Sequence, residues 1–366
     1  MFGFDSLKSI HLEITNRCQA SCPMCARNIH GGIEHPTLKL TDWTLDEYKQ
    51  VLNAEVLMQI EHIAFCGEYG EATVNNDLIS MCEYSTQVNP SLHIKIQTNG
   101  STRNEAWWTT LAQVLPVNHN VIFALDGLND THHLHRQGTD FDKIIKNAQA
   151  FIQAGGTAEW QFICFKHNEH QIEEARALAA SLGFKQFKIM YSNRFTDNFP
   201  VVDRTGAVTH VIQQPQGHRV SPVTLVHLKD YNRLKSSKIT CKSEESNDIV
   251  INADFKLIPC CMLAYFLNLH DRLDLYTQNG LGDQTSMLEV AMSLKIHALE
   301  LFEQWGGVPA LDVRTHGIKD IINSPAWQTV LKNDWSDPSE LSQPCSIACG
   351  HNSPYLDEIQ SIELLQ

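Results

Sequence analysis

The chain has 366 residues, of which 43% are hydrophobic and 19% charged, and its formal net charge is −14. These shares are typical of a soluble globular protein with one large domain or two of ordinary size. The acidic balance weighs against nucleic acid as the main partner. Neither an apolar run of about 18 residues nor a secretion signal is visible, so we expect no membrane partner.

Eleven cysteines are present, many of them at close spacings in two regions of the chain. In a small secreted domain such cysteines would suggest disulfides. In a chain of this length without a secretion signal, ligation of a metal or a cluster is favoured instead. We therefore expect a cytoplasmic protein, because a reducing compartment suits oxygen-sensitive clusters.

The first predicted element is a strand over residues 8–14, and a group of three cysteines follows it. Cys18, Cys22 and Cys25 have the spacing C-x3-C-x2-C. Three thiolates on one loop can hold three irons of a cubane cluster, and the fourth iron is then open to a small molecule. A zinc site with a distant fourth ligand is an alternative, and chance is another. The carboxyl end of a strand is also where α/β sheets and barrels place their chemistry.

This loop, with Asn16 and Arg17 ahead of its first cysteine, resembles the signature loop of the radical S-adenosylmethionine (radical SAM) superfamily. In that family the open iron chelates the amino and carboxyl groups of SAM, and one electron from the cluster yields a 5′-deoxyadenosyl radical. The resemblance implies a [4Fe-4S] cluster on Cys18, Cys22 and Cys25, SAM as a second cofactor, and a reductase, flavodoxin or ferredoxin as electron donor.

Strand and helix patterns alternate through the following residues. Thr44 and Glu47 form a predicted capping box for a helix that reaches about residue 60, and Asn168 with Gln171 predicts the start of a later one. The further predicted strands cover 62–66, 92–97, 120–125, 159–165 and 186–191, and the further helices cover 77–87, 104–115, 141–154 and 169–182. Six βα units predict a parallel sheet in an open, partial (β/α)6 TIM-like barrel.

Two turns at predicted strand ends resemble family segments that contact SAM. Gly70 and Glu71 match the Gly-Gly-Glu-type turn, whose carboxylate accepts hydrogen bonds from the SAM ammonium. Thr98 and Asn99 match a segment that lines the SAM pocket. From the residues alone, both segments are equally consistent with plain turns.

The fourth strand ends in Asp126-Gly127, which resembles the Ser-(Leu/Ile)-Asp-Gly segment of the family, with Ala124 in place of the serine. Arg136 matches an arginine that reaches the SAM carboxylate, a role that suits the forked guanidinium. A surface arginine is the alternative. For the intervening His132, His133 and His135 we predict solvated or pocket-rim side chains rather than metal ligands.

Residues 196–240 lack a clear period and contain several prolines, which predicts a linker with one short helix near 226–235. A β-hairpin over 249–260 follows, and Cys241, Cys260, Cys345 and Cys349 can together close a second cubane completely. A zinc ribbon-like site is the alternative, and Cys261 can replace Cys260 as a ligand. Helices are predicted near 286–304 and 316–332, with a short tail over 354–366.

The second cysteine group resembles the SPASM domain of radical SAM enzymes, or its shorter twitch form, with one auxiliary [4Fe-4S] cluster. The usual turn glycine is Phe255 here. The predicted domains are a barrel core over 1–195, a linker over 196–240 and an auxiliary cluster domain over 241–366. Cys66, Cys82 and Cys164 are predicted core residues.

The resemblance implies an enzyme that abstracts a hydrogen atom from a small molecule or a peptide and uses the auxiliary cluster for electron transfer. The first strand begins by residue 8, which favours a small substrate or a separately delivered peptide. Two other functions are weighed against it. A tRNA-modifying radical SAM enzyme needs a basic groove, which the acidic balance disfavours, and a non-enzymatic electron-transfer protein would ligate all four irons.

Overall fold

The computed structural model of the chain describes residues 1–35, 38–192, 198–216, 238–264, 285–336 and 343–351. The chain divides into two compact units: Leu12–Val220 form the larger one, and Met1–His11 with Ser221–Leu365 form the smaller one. The predicted domain boundaries at residues 195 and 240 stay predictions. Among the described residues, no helix combines the length and the apolar character needed to cross a membrane.

The larger unit is built on parallel strands. The chain's first eight strands are β1 Ser9–Leu12, β2 Asn28–Ile29, β3 Ile33–Glu34, β4 His62–Phe65, β5 His93–Thr98, β6 His119–Ala124, β7 Ala158–Cys164 and β8 Gln186–Tyr191. Strands β4 to β8 pair in parallel in sequence order. Leu12 accepts a hydrogen bond from the Cys66 amide (3.3 Å) just beyond β4. This arrangement confirms the predicted α/β partial barrel.

Helices connect these strands. They are α1 Leu45–Val51, α2 Ala54–Gln59, α3 Leu78–Val88, α4 Glu105–Val114, α5 His132–His135, α6 Phe141–Gln153 and α7 Ile172–Leu182. The capping box of Thr44 and Glu47 is confirmed. The prediction of one helix to about residue 60 is wrong, because Asn53 interrupts it and its side chain caps α2 by accepting a hydrogen bond from the Val56 amide.

Aromatic side chains fill the space between the sheet and its helices. Trp108 on α4, Phe123 on β6 and Phe151 on α6 are fully buried. The ring centroids of Trp108 and Phe123 lie 5.1 Å apart, and those of Phe123 and Phe151 lie 6.2 Å apart. Burial of each such side chain stabilises the fold by about 1.5–3 kcal/mol. The strand ends therefore form a rigid platform for the loops that follow them.

Part of the predicted linker is instead a β-hairpin, formed by β9 Asn198–Val202 and β10 Val208–Gln213. The prediction of an irregular segment there is wrong. Alternate residues such as Val201 and Ile212 are buried, and the turn is closed by the Asp203 side chain, which accepts hydrogen bonds from Thr205 and Ala207 amides. The predicted helix near 226–235 lies outside the described residues.

The smaller unit contains the predicted hairpin, formed by antiparallel β11 Asp248–Ile251 and β12 Leu257–Ile258. Its helices are Lys242–Ser246, Thr285–Gln304, Val313–Asn323, Pro325–Ser336 and Gln343–Cys349. The single helix predicted near 316–332 is wrong. It is divided at Ser324 because Pro325 has no amide hydrogen and starts a new helix. The predicted tail over 354–366 lies outside the described residues.

Phe255 occupies the turn of this hairpin with φ of 62°, in the left-handed region that favours glycine. Such a conformation costs about 1–3 kcal/mol and persists only where its surroundings compensate. Here the Phe255 carbonyl accepts a hydrogen bond from the Val313 amide (3.0 Å). The Arg314 guanidinium also lies 4.1 Å from the centre of the buried ring. These contacts compensate for the cost of the left-handed conformation, which a glycine would adopt without strain.

Candidate functional site

The three N-terminal cysteines lie on a tight loop after β1. The Cys25 amide donates to the Cys22 carbonyl (3.0 Å), and the Asn28 amide donates to the Cys25 carbonyl (3.0 Å). The Ala20 amide donates to the Cys18 sulfur at 3.4 Å. Arg27 is buried and donates to the carbonyl of Asn16, which ties the end of the loop to its start.

The electrostatics of these thiols suit a bound cation. Burial, followed by the charges of Glu71 and Cys22, raises the pKa of Cys18 well above its ordinary value. Burial raises the pKa of Cys22 to about 11, although the Arg136 guanidinium opposes that shift. Thiolates at these positions therefore need compensation by a positive group such as the irons of a cluster. The donor set of three cysteines fits three irons of a cubane.

Gly70 packs its backbone directly against this loop. A β-carbon at Gly70 would lie 1.7 Å from the Thr15 carbonyl oxygen, so no side chain fits there. The buried Glu13 carboxylate fixes the same turn by accepting hydrogen bonds from the amides of Tyr69 (2.8 Å) and Gly70 (2.9 Å). Glu13 was not among the predicted site residues. A carboxylate between the apolar Leu12 and Ile14, directly after β1, is the signal that could have identified it.

Glu71 joins two of the predicted SAM-pocket residues. Its carboxylate is buried and accepts hydrogen bonds from the hydroxyls of Thr73 and Thr98 (both 2.7 Å) and from the Asn99 amide (2.6 Å). The Asn99 side-chain amide in turn lies 3.8 Å from the Cys18 sulfur. The structure thus brings Glu71, Thr98 and Asn99 together beside the first cysteine.

Asp126 and Arg136 form a buried ion pair beside the second cysteine. The Arg136 Nε lies 2.5 Å from Asp126 Oδ2, and the guanidinium also donates a hydrogen bond to Cys22. His135 Nδ1 (2.7 Å) and the Ile163 amide (2.7 Å) complete the contacts of the carboxylate. Burial opposes ionisation of Asp126, but Arg136 and His135 outweigh it and hold its pKa well below the usual range.

The histidines after Asp126 are predicted to be solvated or to lie at a pocket rim, and of the three only His133 is exposed. His132 and His135 are buried. His135 bonds the Asp126 carboxylate, and His132 accepts from the Asp126 amide (3.3 Å) and bonds the Thr139 hydroxyl (2.9 Å). Burial lowers the pKa of His132 to about 4, so its ring is neutral at pH 7. Both rings therefore support the Asp126 turn.

Asn168 and Gln171 support the same turn, and their predicted role as a helix cap is wrong. Neither forms a capping hydrogen bond to the helix. Asn168 instead donates to the Asp126 carbonyl (3.2 Å), and Gln171 accepts from the Leu128 amide (3.0 Å). The missed signal is that both polar side chains lie in the segment between β7 and α7.

The smaller unit brings its cysteines together independently. Cys241 and Cys349 share a hydrogen bond. This bond and burial raise the pKa of Cys241, whereas the same bond lowers the pKa of Cys349 although burial opposes that shift. Cys260 is half-buried close to Cys345 and Cys349, and its sulfur accepts from the Leu263 amide at 3.4 Å. Cys261 is exposed.

Backbone amides also point at the sulfurs of this second group. The Glu244 amide donates to Cys241, and the Lys242 amide donates to Cys349. Hydrogen bonds of this kind tune the potential of a ligated cluster. Four converging thiols fit a fully ligated cubane. In the described part of the chain no group of three or more His, Cys, Asp or Glu residues has the geometry for a single metal ion.

The three remaining cysteines differ from one another. Cys82 and Cys164 are buried, as predicted for core residues. Cys66 is only half-buried, and its thiol donates to the Gln97 side-chain oxygen at 3.3 Å. Gln97 on β5 in turn donates to Gln161 on β7 at 3.1 Å. The prediction of Cys66 as a core residue is therefore wrong, because its thiol is half-buried in a polar contact.

Residues 12–187 match the family model of the Radical SAM superfamily. These residues, just under half of the chain, are therefore identified as a region of the radical SAM type. Proteins of that superfamily use a [4Fe-4S] cluster and SAM as cofactors.

Three relatives are similar to parts of the chain. PqqA peptide cyclase from Rhodopseudomonas palustris is 31% identical over 83 residues, which cover 22% of this chain and 19% of that protein. SuiB from Streptococcus suis, solved with bound S-adenosylmethionine, is 13% identical with a TM-score of 0.48, covering 70% of this chain and 61% of SuiB. Native anSMEcpe with bound AdoMet is 17% identical with a TM-score of 0.46, covering 69% and 74% respectively. The chain thus spans about a fifth of the first relative and about three fifths of the second.

Proposed function

We propose that the chain binds a [4Fe-4S] cluster through Cys18, Cys22 and Cys25 together with SAM, and acts by radical chemistry on a peptide or a small molecule. The observation that carries this proposal is the convergence of Gly70, Glu71, Thr98, Asn99, Asp126 and Arg136 around the three thiols. Those residues come from the ends of three strands, β4, β5 and β6, and from the segments that follow them. When bound, the cluster and SAM supply a 5′-deoxyadenosyl radical.

Glu71 and Arg136 are the charged groups that would hold the two ends of the SAM amino acid moiety. Glu71 carries a buried carboxylate beside Cys18 and suits an ammonium. Arg136 carries a guanidinium beside Cys22 and suits a carboxylate. Both groups lie next to ligand cysteines, where the amino and carboxyl groups of SAM are expected.

Asp126 has a different role in this proposal from that of Arg136. Its side chain has no exposed surface, and its oxygens are engaged by Arg136, His135 and the Ile163 amide. It therefore contributes to SAM binding by positioning Arg136 rather than by touching SAM. The buried pair also stabilises the turn, because removal of one partner would leave an uncompensated charge.

The second group, Cys241, Cys260, Cys345 and Cys349, would hold an auxiliary [4Fe-4S] cluster in a SPASM or twitch type of domain. Two observations support this assignment: the four thiols lie close together, and backbone amides donate hydrogen bonds to three of the four sulfurs. We assign Cys260 rather than Cys261 as the ligand, because Cys260 is half-buried beside Cys345, whereas Cys261 is exposed. A fully ligated cluster suits electron transfer with the substrate.

A peptide is the favoured substrate class, because the PqqA relative is named as a peptide cyclase. Electron supply would come from a reductase, a flavodoxin or a ferredoxin, and a cytoplasmic location would keep both clusters reduced.

The test is the formation of 5′-deoxyadenosine by the anaerobically reconstituted full chain with SAM and dithionite. We expect the product with the wild type and none with Cys18→Ala. Cys82→Ala is the matched control, because Cys82 is buried on α3 and belongs to neither cysteine group. No product from a wild type that carries iron would overturn the proposal.

A further inference from the structure

We propose that the hairpin of β9 and β10 is part of the N-terminal cluster site and holds the cysteine loop in shape through His30 and Met24. This inference rests on the proposed function, since it assigns the loop of Cys18, Cys22 and Cys25 to a cluster. It goes beyond that function because the hairpin lies outside the residues 12–187 that match the family model.

The first contact runs between the hairpin and His30, three residues after the buried Arg27 of the loop. His30 Nδ1 bonds the Pro200 carbonyl at 2.5 Å, and the His30 carbonyl accepts from the Val202 amide at 3.0 Å. The imidazole stacks on the Phe199 ring with a centroid distance of 4.3 Å and an interplanar angle of 13°. Three separate interactions thus join one residue to β9.

The backbone around His30 is closely packed against the hairpin. His30 is 3% exposed and has φ of 51°, a conformation that is uncommon for residues other than glycine. It persists because the contacts with β9 compensate its cost. At Gly32 a β-carbon would lie 2.1 Å from the Asp203 carbonyl oxygen, so the two backbones are in direct contact.

The second contact enters the cysteine loop itself. Met24 stands between Cys22 and Cys25 in sequence, and its side chain is buried in a cluster with Phe165, Phe199, Val201 and Ile212. Three of those four side chains belong to the hairpin. A displacement of the hairpin would therefore move Met24, and with it the two flanking cysteines.

The hairpin is also tied to the strand ends that carry Asp126 and Arg136. His210 Nε2 bonds the Leu134 carbonyl at 2.9 Å, and the Lys166 amide donates to the Gln213 carbonyl at 3.0 Å. The hairpin thus connects the cysteine loop with the segments after β6 and β7. His30 and Met24 are positioning residues in this arrangement, because each would act on the cluster through the ligand loop.

The experiment compares two valines of the same hairpin. Val201 is fully buried against Met24, whereas Val211 is 47% exposed. The anaerobically reconstituted full chain is studied as Val201→Ala, Val211→Ala and His30→Ala. His30→Asn is the conservative variant, since asparagine tolerates a positive φ and can bond the Pro200 carbonyl. The readouts are iron content, the electron paramagnetic resonance (EPR) signal of the reduced cluster, and its change on titration with SAM.

We expect Val201→Ala and His30→Ala to shift the EPR signal and weaken SAM binding about tenfold, in the range seen when groups that support metal ligands are removed. Val211→Ala should match the wild type, and His30→Asn should recover most of the loss. A purely structural role would lower the unfolding temperature but leave the SAM titration of the folded fraction unchanged, and that result would overturn the proposal. If His30→Ala does not fold, Val201→Ala decides. A wild-type signal that does not respond to SAM would instead refute the proposed function.

Discussion

The two cysteine groups of this chain are built in opposite ways. Cys18, Cys22 and Cys25 lie within eight residues on one loop, and the groups around them come from strand ends of a parallel sheet. The second group spans more than a hundred residues of the chain and consists of Cys241, Cys260, Cys345 and Cys349. The first group offers three thiols, and the second offers four.

The polar groups around the sulfurs also differ between the two cysteine groups. The N-terminal group has charged side chains beside two of its thiols, namely Glu71 and Arg136, which can bind a zwitterionic ligand. At the C-terminal group the sulfurs of three cysteines are approached by backbone amides, which can stabilise thiolates, and the charged Lys242 and Glu245 lie near Cys349. In the proposed function, the three-thiol group would leave one iron of its cluster open to SAM, whereas the four-thiol group would ligate its cluster completely.

The largest expected effect is a difference between substitutions in the N-terminal and the C-terminal cysteine groups. Cys18→Ala should abolish SAM cleavage, because the N-terminal cluster loses one of its three ligands. Cys345→Ala should leave cleavage partly intact while product formation stops. The measurement is 5′-deoxyadenosine and substrate product from the same reconstituted sample. Equal product formation by Cys345→Ala and the wild type would refute the auxiliary role.

A second prediction concerns the buried ion pair of the N-terminal site. Asp126→Asn leaves Arg136 uncompensated beside Cys22, and breaking such a buried pair costs about 3–5 kcal/mol of stability. We expect a lower free energy of unfolding and weaker SAM binding, measured by denaturant titration and by SAM titration of the EPR signal.

Asp130→Asn is the control for that variant. Asp130 is exposed, and in the described part of the chain its carboxylate accepts one hydrogen bond, from the Gln171 side-chain amide. If both variants bound SAM as tightly as the wild type, the positioning role of Asp126 would be wrong.

A third prediction concerns the hairpin of the smaller unit. Phe255→Gly removes about 1–3 kcal/mol of backbone strain but also loses a buried ring, which is worth about 3–5 kcal/mol. The net result should be a modest destabilisation, measured by thermal unfolding. Phe255→Tyr keeps the ring and should change stability less. A more stable glycine variant would show that the strain dominates.

The smallest effect is a pH dependence at Asp312. Burial opposes its ionisation, but Arg314 and Lys256 hold its pKa well below the usual range; Lys256 Nζ lies 2.6 Å away. A carboxylate with a lowered folded-state pKa stabilises the fold above its unfolded pKa of about 4, and that stabilisation is lost as the pH falls.

Asp312→Asn should therefore lower the unfolding temperature at pH 7, and its difference from the wild type should shrink as the pH falls from 5 to 3. A constant difference over that range would exclude the ion-pair explanation.

The sequence predicted the barrel strands well because their apolar patterns are strong and regularly spaced. Gln186–Tyr191 matches the predicted strand at both ends. Prediction from the sequence failed where a single residue interrupts an otherwise regular pattern. Asn53 divides α1 from α2, and Pro325 divides a later helix. In β9 and β10, Pro200 and the polar residues of Val208–Gln213 obscured the strand pattern.

The site was predicted where a resemblance supplied a role, as for Glu71 and Arg136. It was missed where a residue acts through its neighbours. Glu13, Asn168 and Gln171 fix turns by accepting or donating backbone hydrogen bonds, and His30 depends on a hairpin distant in sequence. Such roles depend on tertiary contacts, which no local spacing encodes.

The central claim is that one iron of the N-terminal cluster has no protein ligand and binds SAM. It is tested most directly by the Mössbauer spectrum of the full chain reconstituted with ⁵⁷Fe, recorded before and after SAM is added. We predict that a single iron per chain changes its isomer shift on SAM addition, while the remaining irons keep their sulfur coordination. A spectrum that SAM leaves unchanged would contradict the claim.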